Sequence, residues 1–307
     1  NGNYGYKLYY PFFIHTTKHF FLYQTSVNQL ANFLSNAPTT QYARDTDYGT
    51  FALFNFLPHH NFRVRDINLI GYNAAGVAVI SQSKPNNDAD GGAQSFKGNS
   101  YSYLQYVGIF PANLRETPAW ETEFAAGNIA YYTVQARNLA FDIVSKTYTI
   151  NIICPNERGY EGIRLTWLNQ WGTWDYYTFN MKSTRSITTK RIPYTQQAGT
   201  WNESTFKIKG WKGGKKNFRV NSTEKIKINT DFVTEDEGVW FEELITSTDV
   251  YIVNGLSADE QDGITNKYVE PVTLTTSNYV KKTIANDKLM QYTFEIEKSK
   301  MQRTQAV

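Results

Sequence analysis

The alternation of hydrophobic and polar positions predicts short β-strands along most of the chain. Segments rich in aromatic and β-branched residues are separated by clusters of Gly, Pro, Asn and Asp, as expected for strands joined by turns. Predicted strands cover residues 50–57, 64–71, 77–80, 101–111, 131–136, 148–154, 225–228, 250–253, 269–275 and 289–296, and residues 187–194 alternate weakly. The pattern therefore predicts a mainly β fold.

A tryptophan-rich hairpin is predicted near the middle of the chain. Residues 163–168 and 174–179 are rich in aromatic and β-branched side chains, and the segment between them contains Asn169 and Gly172. Asn can hydrogen-bond its own backbone and Gly tolerates positive φ, so both suit a tight turn over residues 169–172. Because aromatic side chains bury large areas, we expect this hairpin to anchor a β core.

One helix is predicted at residues 234–245. Thr234 and Glu237 have the spacing of a capping box, in which each side chain accepts a hydrogen bond from the backbone of the other residue. The acidic residues of the first turn face the positive end of the helix dipole. An apolar stripe follows, formed by Trp240, Phe241, Leu244 and Ile245. Such a stripe predicts that one face of the helix packs on a sheet.

The chain is long enough for two domains of ordinary size. Pro118 and Gly127 punctuate a polar segment at residues 115–127, so we place a boundary there. The prediction is an aromatic-rich β domain at residues 1–125 and a second β domain at residues 126–307, ending in a polar arm. Both are expected to be β-sandwich or barrel-like, with one or two short helices in all. A polar loop is expected at residues 81–99.

Composition and net charge narrow the classes of function that the sequence supports. Aromatic residues make up 16% of the chain and Tyr contributes 22 residues, which favours buried contact surfaces between proteins. A net charge of +3 is too small to indicate duplex DNA binding as the main task. A single cysteine, Cys154, excludes an intramolecular disulfide and a Cys-based zinc site. The longest apolar runs, such as residues 51–57, are too short to span a membrane.

Candidate metal ligands do not form a convincing set. Among the four His residues, His15 and His19 have helical metal-ligand spacing inside an extended-looking segment, and His59 and His60 are adjacent, which points them apart in a strand. Residues 86–91 copy the start of an EF-hand loop, but Lys97 occupies the position that requires Glu. We therefore expect no metal and no cofactor.

Carboxylates near aromatic residues suggest a glycosidase only weakly. Candidates for a pair of catalytic acids are Glu121, Glu123, Asp142 and Asp175. A glycosidase needs two carboxylates facing each other across a sugar, and these four are scattered among the 28 acidic residues of the chain. Nucleophile, P-loop and metalloprotease motifs are absent from the sequence. We expect the protein to have no catalytic activity.

A basic cluster stands out between residues 207 and 227. Its members are Lys207, Lys209, Lys212, Lys215, Lys216, Arg219, Lys225 and Lys227, with Trp211 and Phe218 among them. The simplest interpretation is the solvated edge of a hairpin that turns at Gly213 and Gly214, since Lys on an edge strand blocks unwanted pairing. An acidic protein partner and nucleic acid are the alternatives, with nucleic acid the least favoured.

Three segments resemble virion structural proteins of tailed bacteriophages. The first is the pattern L-N-x-x-G-x-x-D-x-Y-x-F, which runs from Leu168 to Phe179. The second and third cover residues 234–252 and 286–296, and all three occur in the same order as in that family. The resemblance extends over residues 130–305 and not over the first 120 or so residues.

The resemblance implies a location in the virion, in the tail, the baseplate or an adjoining ring. It implies a non-enzymatic protein whose task is assembly with copies of itself and with other virion proteins, and it supplies no catalytic residue. The interaction candidates are then Trp171, Trp174, Trp211, Lys207, Lys209, Lys212, Lys215, Lys216 and Arg219. Neither a membrane nor nucleic acid is expected as a partner.

A carbohydrate-binding appendage that recognises a receptor is the main alternative. Exposed Trp and Tyr rings stack on sugar faces, and the chain has seven Trp residues. The two hypotheses differ in where Trp171, Trp174, Trp201 and Trp211 lie. A shallow exposed groove lined by these rings favours a glycan, whereas their burial favours assembly.

Overall fold

The computed structural model describes residues 33–54, 64–85, 104–138, 140–153, 159–199, 204–205, 207, 213–253, 269–276, 278–280 and 290–299. These residues form a mainly β structure, as predicted, with three helices instead of one or two. The predicted sites at His15, His19, His59, His60, Cys154 and residues 86–91 lie outside the described residues, as do Trp201, Lys209, Trp211 and Lys212.

Seven strands and two helices come first in the chain. The strands are β1 (Thr40–Arg44), β2 (Thr50–Phe54), β3 (Asp66–Tyr72), β4 (Ala78–Pro85), β5 (Leu104–Gly108), β6 (Tyr131–Arg137) and β7 (Tyr148–Ile153). The helices are α1 (Pro111–Arg115) and α2 (Pro118–Ala125). Seven more strands and one helix follow, namely β8 (Ile163–Leu168), β9 (Trp174–Phe179), β10 (Thr184–Gln196), β11 (Gly214–Asn229), α3 (Glu235–Thr246), β12 (Val250–Val253), β13 (Val269–Leu274) and β14 (Thr293–Lys298).

A five-stranded sheet is built from β1, β7, β6, β3 and β4 in that order. Strand β1 runs parallel to β7, and the other neighbours are antiparallel. Strands β2 and β5 form a separate pair. Because β6 and β7 follow residue 126 in the chain, this sheet continues across the predicted domain boundary. Its core contains large buried side chains such as Trp120, Tyr132 and Phe110.

The polar segment at residues 115–127, where the domain boundary was placed, contains the last residue of α1 and the whole of α2. Pro118, one of the two residues used to place the boundary, lies at the first turn of α2, where its missing N–H is not needed. Trp120 of this helix is completely buried and lies edge-on to Tyr132, with ring centroids 5.7 Å apart. The segment is therefore part of the first core.

Part of the predicted loop at residues 81–99 is also a strand. Residues Ser81–Pro85 continue β4 and pair with β3, while residues 86–99 lie outside the described part. Strand β4 is at the edge of its sheet and its exposure alternates. These residues pair with β3 through their backbones, and their side chains need not be apolar because the strand is at the edge of the sheet. Their polar composition therefore predicted a loop.

A seven-stranded antiparallel sheet is built from β10, β11, β14, β13, β12, β8 and β9 in that order. Helix α3 covers it, and its predicted capping box is confirmed: the Thr234 N–H donates to Glu237 Oε2 at 2.8 Å, and the Glu237 N–H donates to Thr234 Oγ1 at 3.3 Å. Gly238 in this helix has a packing role, because an added Cβ would lie 2.8 Å from the Tyr292 hydroxyl.

The β8–β9 hairpin has the predicted bounds and is buried on both faces. One face, which carries Trp167 and Tyr177, packs in the second core with α3. The other face carries Arg164 and Tyr176 and contacts the first part of the chain. The Tyr176 ring lies 5.5 Å from that of Phe110. This hairpin therefore connects the two cores.

Candidate interaction surface

Strands β10 and β11 form a long two-stranded ribbon that extends beyond the sheet. They pair along their whole length, from Thr184 with Lys227 to Gln196 with Gly214. Only residues Lys225–Asn229 of β11 also pair with β14. At about 3.3 Å per residue, the remaining part of β11 extends for about 35 Å. We call residues 186–196 and 214–223 the ribbon.

The ribbon is basic. Residues 186–196 and 214–223 include five Lys or Arg residues and no acidic residue. Three of the predicted interaction residues, Lys215, Lys216 and Arg219, are exposed on β11, and Lys190 and Arg191 are exposed on β10. Within the described residues, the side chains of Lys215, Lys216 and Arg219 make no ion pair or hydrogen bond. Their charges therefore face solvent.

Apolar side chains lie among these charges. The exposed fractions are 62% for Ile187, 43% for Ile192, 44% for Tyr194 and 79% for Phe218. Cross-strand partners share a face, so the pairs Ile192 with Arg219 and Tyr194 with Lys216 lie on the same side of the ribbon. This mixed face, which also carries Lys190, combines exposed apolar area with positive charge.

Addition of another strand to the ribbon is disfavoured. A β-bulge lies between Ile192 and Pro193, and Pro193 has no N–H to donate to a new neighbour. Bulges and edge lysines are both features that prevent edge-to-edge pairing. A partner would therefore contact the faces of the ribbon and not its edges.

Charges at the base of the ribbon are neutralised. Glu224 is buried and lies 3.6 Å from Arg185 and 3.4 Å from Lys298. Arg185 also pairs with Glu161 at 2.8 Å, and Lys298 with Glu270 at 3.2 Å. Arg185, Glu161, Lys298 and Glu270 line a cavity of about 260 Å³ together with the buried Arg164. Each of these charged side chains has an oppositely charged partner in the described part of the chain, so the charges around the cavity are neutralised.

The structure corrects the hairpin proposed from Gly213 and Gly214. Both residues have positive φ, 117° and 86°, but the strand that begins at Gly214 pairs with β10, which ends at Gln196, so the two paired strands are separated by residues 197–213. Strand β10 was visible in the sequence only as a weak alternation over residues 187–194. Lys190, Arg191 and the apolar residues of β10 were therefore not assigned to the basic surface.

Trp171 and Trp174 are half-buried and do not belong to the ribbon. The Trp171 indole N–H donates to Asn36 Oδ1 at 3.0 Å. The Trp174 ring lies edge-on to Tyr251, 5.7 Å between centroids. Each ring packs within the chain. Lys207 is exposed, close in sequence to residues that the structure does not describe.

The four candidate catalytic carboxylates each have a separate partner. Glu121 pairs with Arg115 at 2.6 Å, Glu123 accepts from Asn128 and Asp142 accepts from Asn138. Asp175 is buried beside Trp240. Among the described residues, no group of three His, Cys, Asp or Glu side chains is arranged to hold a metal ion. The helices in the same ranges are too short or too polar to cross a bilayer.

No family model matches the chain, and no curated protein matches it.

Proposed function

We propose that this protein is a non-enzymatic structural component of a tailed-phage virion, located in the tail, the baseplate or an adjoining ring. It assembles through symmetric contacts with copies of itself and through contacts with other virion proteins. The observation that carries this proposal is the spatial arrangement of the three segments that resemble phage virion proteins.

These three segments pack together in the second core. Trp167 of the hairpin lies 4.9 Å from Trp240 of α3, and Phe179 lies 5.7 Å from Phe294 of β14, measured between ring centroids. The Phe241 and Phe294 rings are 5.6 Å apart. The segments that resemble the family thus form one buried aromatic cluster. A shared packing core of this kind supports a structural role.

The ribbon supplies a contact element for such a role. Its exposed apolar and basic side chains need a partner to become buried, and the partner must carry acidic groups to match them. Symmetric copies multiply weak contacts, so modest complementarity per copy can hold a stable ring.

Reconstruction of the intact particle tests the proposal directly. We expect this chain in several symmetry-related copies, with each ribbon in contact with a neighbouring protein. The proposal fails if the chain is an isolated monomer at a fibre tip with a glycan bound to aromatic side chains.

Charge reversal tests the role of the ribbon. In Lys215→Glu/Lys216→Glu we expect loss of incorporation into particles with an unchanged melting temperature, because both side chains are exposed. Lys146→Glu is the control, since Lys146 is exposed in the segment between β6 and β7, away from the ribbon. Equal incorporation of ribbon variant and control would contradict this role.

A further inference from the structure

We infer that the mixed face of the ribbon binds the outer face of helix α3 in a second copy of this chain. The ribbon side of this contact consists of Lys190, Ile192, Tyr194, Lys216 and Arg219. The helix side consists of Phe232, Glu235, Asp236 and Val239. This contact rests on the proposed assembly function and identifies the partner of the ribbon within it.

The ribbon lacks the support that a two-stranded element needs. An isolated pair of strands is marginally stable in water unless it packs on something else. Every residue of β10 from Thr184 to Thr195 is exposed, and so is β11 from Gly214 to Arg219. Among the described strands, none pairs with the outer edge of β10. Binding to another surface would supply the missing packing.

Helix α3 carries the complementary charge. Residues Glu235–Thr246 include five acidic residues and no basic one. Glu237 is used in the capping box and Glu243 accepts a hydrogen bond from Asn36. Glu235 and Asp236 are exposed, and neither makes an ion pair or a hydrogen bond within the described part of the chain. These two carboxylates are available to lysine and arginine side chains of another molecule.

Exposed apolar side chains lie on this helix and in the segment just before it. Phe232 is 50% exposed and Val239 is 51% exposed. Val239 lies three and four residues after Asp236 and Glu235, so the three side chains are neighbours on the helix surface. Two apolar side chains flanked by carboxylates thus match the exposed Ile192 and Tyr194, which are flanked by Lys190, Lys216 and Arg219.

The two surfaces cannot meet within one chain. Helix α3 begins six residues after β11 ends at Asn229, close to the base of the ribbon. Lys216 lies about 40 Å further along the extended strand. Pairing with β10 continues up to Gly214, which keeps the strand from folding back. The ribbon of one copy must therefore reach the helix of another, a heterologous contact that closes into a ring or extends as a filament.

Charge reversal on each side, measured by sedimentation equilibrium of the full chain, tests this contact. The ribbon variant is Lys216→Glu/Arg219→Glu, and the helix variant is Glu235→Lys/Asp236→Lys. We expect the unmodified protein to self-associate more strongly at low salt than at high salt. Each variant alone should associate at least about tenfold more weakly, because like charges then face each other.

Mixing the two variants gives the sharpest outcome. The acidic ribbon of one variant matches the basic helix of the other, and the unmodified surfaces of the pair also match. We therefore expect an equimolar mixture, and a chain carrying all four substitutions, to recover self-association. Melting temperatures confirm folding, and the neutral variants Lys216→Gln and Glu235→Gln replace any reversed variant that fails to fold.

Three results would overturn the inference. The first is self-association that does not respond to either reversal or to mixing. The second is a monomeric protein whose ribbon variant is still excluded from particles, which assigns the ribbon to another virion protein and leaves the proposed function standing. The third is a monomer that binds a DNA oligonucleotide through the ribbon and loses binding in the ribbon variant.

Discussion

The indole N–H of Trp240 donates a hydrogen bond of 2.7 Å to Oδ2 of the buried Asp175. The other carboxylate oxygen, Oδ1, accepts from the side-chain amide of Asn169 at 3.0 Å. Helix α3 is thereby joined to the β8–β9 hairpin at the point where the hairpin turns.

Replacement of Trp240 tests the packing of α3. Trp240→Ala removes a side chain that is 3% exposed, together with the indole N–H that donates to Oδ2 of Asp175. We expect a loss of about 3–5 kcal/mol in the free energy of unfolding, measured by urea denaturation. Val239→Ala in the same helix is the control, because Val239 is 51% exposed. Similar midpoints for Trp240→Ala and the unmodified protein would contradict this packing.

The turn residue Asn169 should contribute more to the free energy of unfolding than an asparagine in an exposed turn does. Its Oδ1 accepts from the backbone N–H groups of Trp171 and Thr173, each at 3.0 Å, and its amide donates to Leu34 O at 2.9 Å. Asn169 is 1% exposed, so Asn169→Ala leaves several polar groups unsatisfied in the interior. We expect a loss of at least about 3 kcal/mol in the free energy of unfolding.

Asn73 provides the matched control for Asn169. In the β3–β4 turn its Oδ1 accepts from the backbone N–H groups of Ala75 and Val77 at 3.0 and 2.9 Å. This turn is exposed, so water can replace the lost bonds and Asn73→Ala should cost only about 1 kcal/mol. Equal costs for the two substitutions, measured by urea denaturation, would show that burial of the turn does not matter.

Removing one partner of the buried ion pair between Arg164 and Asp47 should strongly destabilise the protein. Each side chain is 1% exposed, and Thr178 Oγ1 bridges them with distances of 2.8 Å to both. Burial alone would raise the pKa of Asp47, but the guanidinium groups of Arg164 and Arg44 lower it below its ordinary value. Asp47→Ala should cost about 3–5 kcal/mol, because the buried guanidinium of Arg164 then lacks its counter-charge.

The exposed pair of Arg185 and Glu161 is the control for this substitution. Their side chains are 45% and 64% exposed, so Glu161→Gln should change the free energy of unfolding by less than about 1 kcal/mol. Thermal unfolding of both variants tests the difference. The lowered pKa of Asp47 also means that its contribution is present at neutral pH and is lost as pH falls through that pKa.

Asp175 and Glu243 should make the protein less stable as pH rises. Burial raises the pKa of Asp175 from 3.8 to about 6, although hydrogen bonds from Trp240, Ser35 and Asn169 favour its carboxylate. Burial and the nearby Asp175 raise the pKa of Glu243 from 4.5 to about 7. Both groups bind a proton more tightly in the folded state, so their contribution is present below about pH 4 and is lost towards pH 7.

Glu243→Gln isolates part of this pH dependence. The variant lacks one of the two titrating groups, so its urea midpoint should fall less than that of the unmodified protein between pH 5 and pH 8. Glu235→Gln, an exposed change in the same helix, should leave the pH profile unchanged. Parallel profiles for Glu243→Gln and the unmodified protein would rule out a titrating Glu243 in this range.

Local sequence features were sufficient to predict the β8–β9 hairpin and helix α3. Asn169 and Gly172 specify a turn wherever the flanking residues can pair, and the capping box is complete within the four residues from Thr234 to Glu237. These features depend on neighbours in the chain, so their bounds and roles could be predicted. The resemblance to virion proteins rests on the same local segments and remains a hypothesis about function.

Contacts between distant segments of the chain determine the features that the sequence did not predict. Nothing local distinguishes Arg164, which is buried against an aspartate 117 residues away, from Lys216, which is exposed on the ribbon. Likewise, β6 and β7 complete a sheet begun by β1 and β3, across the boundary that composition suggested. Burial of a charge and pairing of a strand depend on which distant segments meet in the folded chain. Local patterns specify what a segment can become, but only the tertiary structure determines what lies beside it.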